Sequence, residues 1–130
     1  GQDFSQRMIE LAKVKMPKAE LYQGDFTKGL VETLKQNRYD AIVATYSLHH
    51  LTDAEKVVFI ENLRPLLNDG GKIYIGDVMF GNRVQLEACR ADAGDEWDGD
   101  EIYFVVDELQ ARFPQMRFEP PSYCSGVLTL

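Results

Sequence analysis

Cysteine is scarce in this chain. Cys89 and Cys124 are the two in 130 residues, too few and too far apart for a disulfide framework or a C-x-x-C metal site, so the expected compartment is a reducing cytoplasm. Basic residues are also short, 14 against 21 acids for a net charge of −7. No Lys/Arg stripe exists to neutralise phosphates, which argues against unaided nucleic-acid binding. Apolar runs are only a few residues long, against the roughly 20 that span a bilayer, and the first residues lack a charged-then-apolar leader pattern; neither a membrane span nor a leader is expected. His49 and His50 are the sole histidines, adjacent rather than at helical i, i+4 spacing, with no Cys or third His joining them. No metal site is expected from them. A G-x-S-x-G elbow is missing, and both thiols are assigned to packing. The acidic run from Asp92 to Glu101 lacks the alternating acids and sixth-position glycine of a calcium loop, and reads as a mobile, solvated lid.

What is present suits a folded domain: 45% hydrophobic and 11% aromatic residues can fill one core in a chain of single-domain length. Helical and strand-like segments alternate, which predicts an α/β domain with a largely parallel sheet. Ser5 caps a helix over 5–15 whose apolar residues include Met8, Ile9, Leu11 and Ala12, closed by Pro17. A short strand is expected over 19–23 and a helical face over 28–36. The nearly continuous apolar stretch in 39–46 predicts a central strand buried on both faces. Thr52-Asp53-Ala54-Glu55 has capping-box spacing for a helix to about Leu67. Asn68-Asp69-Gly70-Gly71 supplies a turn before a strand over 72–78. A helix is expected over 83–91 and a short one over 106–113. Two terminal strands, 115–119 and 123–130, are separated by Pro120-Pro121 and predicted to pair antiparallel.

Three places carry candidate chemistry. Asp3 stands just ahead of a capped helix, where the carboxyl end of a strand is expected; a carboxylate there can accept from both hydroxyls of a ribose, or can simply favour the helix N-terminus through its dipole. Gly24-Asp25-Phe26 offers close backbone approach, an acceptor for an exocyclic amine and a ring face, the features of an adenine pocket, or else a plain turn with a packed Phe. Thr45-Tyr46-Ser47-Leu48-His49-His50-Leu51 places polar groups directly after the central strand, where loops line sites. His49 and His50 are the candidate proton acceptors near neutral pH, with carbonyl bonding and packing as the plain alternative.

In order and spacing, the segment Gly1-Gln2-Asp3-Phe4-Ser5, then Gly24-Asp25-Phe26, then Tyr39-Asp40-Ala41-Ile42-Val43 running into Ser47-Leu48-His49-His50-Leu51, then Leu63 to Lys72 resemble the class I S-adenosylmethionine-dependent methyltransferases. The tail, through Asp107-Glu108-Leu109 to Ser122-Tyr123-Cys124-Ser125-Gly126-Val127, looks like an uncharacterised bacterial branch of small-molecule methyltransferases. The resemblance implies a Rossmann-like sheet of order 3-2-1-4-5-7-6, mostly parallel with an antiparallel C-terminal strand. It implies Asp3 for the cofactor ribose, Phe4 against the adenine, Asp25 for the adenine amine and Phe26 beside the ring. Thr45 and Tyr46 would face the methionine end, and His49 and His50 would border the methyl acceptor beneath a loop over 83–103. The acceptor is expected to be a small molecule, since a basic face and an Asp/Asn-Pro-Pro-Tyr segment for DNA-base methylation are both missing.

By the same resemblance the first strand, its G-x-G-x-G loop and most of the second strand precede Asp3. The expectation is therefore that residues 1–130 form the C-terminal part of a single methyltransferase domain and alone bind S-adenosylmethionine weakly or not at all. An orphan edge on the 39–46 strand predicts aggregation or a homo-oligomer through that edge. Two other classes stay open: a non-catalytic binding or regulatory remnant, and a nicotinamide-dependent oxidoreductase, whose ribose is also held by an acid after a strand.

Overall fold

Capping chemistry organises the first of the two units, Gly1–Arg38 and Tyr39–Leu130, that a computed structural model of residues 1–130 contains. Ser5 Oγ accepts the Met8 N–H at 3.3 Å and starts α1, Gln6–Lys15. The helix closes ahead of Pro17 as Met16 N–H reaches Ala12 O at 2.7 Å. Of the apolar residues expected to be its packed face, Ile9 is buried whereas Met8 and Leu11 are exposed. Strand β1, Gln2–Asp3, runs parallel to β2, Tyr22–Gln23, with Asp3 opposite Gln23. The expected strand over 19–23 is shorter because Ala19 donates to Met16 O in the turn after the helix. Gly29, at φ 96°, ends a 3₁₀ turn over Phe26–Lys28, so the helix expected over 28–36 shrinks to α2, Glu32–Lys35.

The second unit is built on a five-stranded sheet. Strand β3, Tyr39–Thr45, pairs in parallel with β4, Leu67–Phe80; β4 then pairs antiparallel with β7, Ser125–Thr129, and β7 antiparallel with β6, Arg117–Glu119. The order β3-β4-β7-β6 matches the 4-5-7-6 part of the expected sheet, and the antiparallel terminal pair is as predicted. A two-residue strand that sequence patterning missed, β5 (Phe104–Val105), continues in parallel beside Met79 and Phe80. Helix α3, Asp53–Leu63, has the full capping box expected at Thr52 and Glu55. A 3₁₀ turn over Arg64–Leu66 follows it. The expected turn at 68–71 becomes an irregularity within β4, where the register jumps between Tyr39 and Ala41. Gly70 takes φ 77°, and a Cβ on Gly71 would meet Tyr39 O at 2.8 Å.

One expectation about β3 fails. The strand is not buried on both faces: its residues alternate between exposed and half-buried, and Val43 is 66% exposed. The cause is its place at the end of the sheet order, paired through β4. The strand with a buried face is β4, where Ile73, Ile75 and Met79 point to one side at period 2 and the alternate residues between them are half-buried. Helix α4, Arg83–Ala93, and α5, Val106–Gln110, complete the unit. Leu86 of α4 packs with Phe80 and Val105 in a cluster that Trp97, Tyr103 and Cys89 join. Cys89 thus packs as expected, whereas Cys124 is exposed. No helix is long and apolar enough to cross a membrane.

Candidate functional site

Parallel pairing in the first unit carries both candidate carboxylates to one end of a strand pair, because Asp3 ends β1 and Asp25 lies two residues beyond β2. Asp3 Oδ1 accepts the Ser5 N–H at 2.8 Å. A carboxylate offers about four acceptor positions, so this bond leaves capacity for further donors. Phe4 is 60% exposed beside it. Asp25 Oδ1 accepts from Thr27 N at 3.0 Å and Thr27 Oγ1 at 2.6 Å, capping the 3₁₀ turn. The Thr27 hydroxyl bond, then its backbone N–H, hold the Asp25 carboxyl below the usual carboxylate range. Phe26 opens that turn and is half-buried. Gly24 serves packing: a Cβ there would meet Val31 Cγ1 at 2.7 Å and the Gln2 amide at 3.0 Å. The close backbone approach read from its sequence is thus an approach to the protein's own side chains.

In the second unit the chain leaving β3 turns sharply. Tyr46 takes φ 47°, in the left-handed region that a bulky side chain rarely adopts, and its N–H is held by Gly76 O at 2.9 Å. The next residues converge on Asp77 of β4. Its Oδ2 accepts from Ser47 N at 3.3 Å and Leu48 N at 3.0 Å, while its Oδ1 lies 2.7 Å from His49 Nδ1 and accepts from Val78 N at 2.8 Å. Thr45 and Tyr46 are exposed and His49 is buried. His50 is exposed, its ring centroid 4.3 Å from that of His49. The two histidines therefore differ: one is an interior ring held against a carboxylate, the other a surface ring tilted at 59° against it.

The second carboxylate on His49 comes from the acidic run. Glu101 Oε1 lies 3.4 Å from His49 Nε2. Ile102 N–H donates to His49 O at 2.8 Å, and Lys56 Nζ donates to Ile102 O at 2.6 Å and Asp53 Oδ1 at 2.9 Å. Tyr103 packs edge-on against Trp97, centroids 4.9 Å apart. The acids from Asp92 to Asp100 are exposed as expected, yet the run is no bare loop, since its C-terminal end is fastened to the β3 exit and to α3. Burial pushes the Tyr103 phenol up to about 12, with its hydrogen bond to Glu101 adding to the effect. Burial pushes the Lys56 ammonium down from its ordinary value, and Asp53 opposes this.

Sequence reading missed Asp77, Glu101 and Lys56. Two of them left a trace. Asp77 continues the buried period-2 face of Ile73, Ile75 and Met79, and Lys56 shares its helix face with Ile60 and Leu63 at i+4 and i+7. A charge on an apolar stripe is a buried charge and needs partners. Glu101 left none, being one acid in an acidic run.

Comparison with known proteins gives concordant matches. A family profile described as a methyltransferase domain matches residues 1–73. A relative from Anoxybacillus flavithermus named as an uncharacterised methyltransferase is 43% identical over 93 residues, which cover 72% of this chain and 42% of that protein. Another from Bacillus mycoides is 43% identical over 84 residues, 64% of this chain and 38% of its own. The chain thus spans about two fifths of the length of these relatives. Among solved structures, a complex of DhpI with SAM and HEP superposes with a TM-score of 0.73 at 18% identity, covering 98% of this chain and 65% of that one. The magnesium protoporphyrin IX methyltransferase of Synechocystis with bound SAH gives 0.67 at 14% identity, covering 99% and 61%. At such identities these structures establish a shared α/β fold.

Proposed function

The chain belongs to the methyltransferase-domain family, and on that premise we propose that residues 1–130 form the C-terminal part of a class I domain that transfers a methyl group from S-adenosylmethionine to a small molecule. When bound, that cofactor supplies a methyl on a sulfonium, whose carbon–sulfur bond breaks with its electron pair left on sulfur. The observation that carries the reading is the parallel β1–β2 pair, which sets Asp3 and Asp25 at one carboxyl end. Ligands of open α/β sheets bind outside such ends. In this reading Asp3 accepts from the ribose hydroxyls, Asp25 from the adenine amine, and the exposed Phe4 ring and Phe26 flank the base. Thr45 and Tyr46, at the carboxyl end of β3, serve the methionine portion. The backbone strain at Tyr46 supports this, because such strain persists where function requires it. His49 and His50 border the acceptor side. Proximity and orientation carry much of the rate in many such transfers. At the β3 edge, exposed Val43 supports self-association, which sedimentation at several concentrations measures.

Isothermal titration with S-adenosylhomocysteine tests the reading on the whole protein. Hydrogen bonds to a charged group are worth about 1.5–3 kcal/mol each, so Asp3→Ala should weaken binding by about 10-fold or more. Saturable binding that ignores Asp3→Ala and Asp25→Ala sinks the residue assignment. Saturable binding of NADH, with none of S-adenosylhomocysteine, sinks the reading as a whole.

A further inference from the structure

Asp77, His49 and Glu101 lie in a line of rising exposure. Their side chains are 1%, 10% and 26% exposed, linked by contacts of 2.7 Å at Nδ1 and 3.4 Å at Nε2. The inner end is fixed: Asp77 also accepts from Ser47, Leu48 and Val78 backbone N–H groups, so it faces Nδ1 as an acceptor and requires the ring proton there. With Nδ1–H so committed, Nε2 is the ring atom left to face Glu101. The outer end is held without being sealed. Glu101 is followed at once by Ile102, whose N–H and C=O are tied to His49 O and Lys56 Nζ. The backbone at this point is therefore set by the β3 exit and α3, while the Glu101 carboxylate keeps its access to solvent.

We propose that Glu101 is the catalytic residue that takes the proton from the methyl acceptor, with His49 and Asp77 as positioning residues behind it. The inference rests on the methyltransferase reading above and replaces the direct role for His49 expected from sequence. A bound acceptor meets the quarter-exposed Glu101 carboxylate before it can meet the buried imidazole. As the acceptor's lone pair becomes its new bond to carbon, its hydrogen leaves as a proton to Glu101 Oε1. It passes on to His49 Nε2, and the positive charge gained by the ring is balanced by Asp77. The acceptor class follows from this: a hydroxyl or an amine that must lose a proton on methylation.

Two measurements on the whole protein test the relay. In ¹⁵N spectra of the imidazole, His49 should carry a proton on Nδ1, and Glu101→Gln should shift the Nε2 resonance while leaving the protonation of Nδ1 unchanged. An unprotonated Nδ1, or an Nε2 indifferent to Glu101→Gln, overturns the proposal. Methyl transfer to phenol and to benzylamine should fall about 100-fold or more in kcat with Glu101→Gln. Transfer to thiophenol, already ionised at working pH, should hold, as should the affinity for S-adenosylhomocysteine. Equal losses for all three acceptors overturn the role as proton acceptor. A wild type that binds no S-adenosylhomocysteine removes the cofactor reading, while the ring spectra still decide the relay.

Discussion

Asp77→Asn is the change that puts most weight on the reasoning. The carboxylate is 1% exposed and accepts four N–H groups, from Ser47, Leu48 and Val78 backbones and His49 Nδ1, two on each oxygen. Asparagine keeps one oxygen and turns an NH₂ on the other pair, so two donors face a donor. Each buried polar group stripped of its partner costs about 1–3 kcal/mol, which gives roughly 4 kcal/mol for the pair. That agrees with the ~3–5 kcal/mol lost when one side of a buried charged contact is removed. Domains of this size have about 5–15 kcal/mol in all. At about 3–5 °C per kcal/mol, Tm should fall by roughly 12–20 °C. Urea unfolding should show the loss at an unchanged m-value, with the exposed Asp69→Asn staying within about 0.5 kcal/mol of wild type. An Asp77→Asn protein within about 1 kcal/mol of wild type would falsify the idea that this carboxylate organises the β3 exit.

Alkaline titration gives a second check. The Tyr103 phenol is raised from 10.0 to about 12 by burial first and then by Glu101. A raised acid contributes stability that is complete below its unfolded value and lost as pH climbs through its folded one, so unfolding midpoints should decline between about pH 10 and 12. Tyr103→Phe should lessen that decline, and absorbance at 295 nm should show one tyrosinate appearing late. Packing offers a third. A Cβ on Gly126 would meet Phe118 Cε2, and Met79 Cγ and Sδ at 2.5 and 2.6 Å, so Gly126→Ala should cost about 1–3 kcal/mol by overpacking, read by thermal unfolding. A neutral result there would mean that β6 and Met79 yield more freely than their packing suggests.

Much of the architecture was legible because local chemistry sets it. The Ser5 cap, the Thr52–Glu55 capping box and the Pro120-Pro121 break each act within a few residues, and each appears where expected. Errors arose where a partner elsewhere decides. An apolar run such as 39–45 reads as doubly buried whichever place it takes, and β3 fell at the end of the sheet order. Gly29 and the turn after Pro17 overrode longer periodic patterns. The candidate site divides in the same way. Asp3, Asp25 and the loop after β3 could be singled out as candidates because strand ends are visible in sequence, and each does lie at a strand end.

The sequence by itself determined the alternation of elements, their caps and the positions of the acid that ends β1 and the acid that follows β2, since these depend on neighbours within one turn or one strand. Only the tertiary structure decided what surrounds His49. Asp77 is 28 residues away along the chain, and Glu101 belongs to an acidic run whose other members face water. Their meeting depends on β3 lying beside β4 and on Ile102 being tied to His49 and Lys56. Such a contact forms between groups distant in sequence, so no local pattern encodes it. Burial then gives it strength, because a carboxylate withdrawn from water must find its hydrogen bonds within the protein.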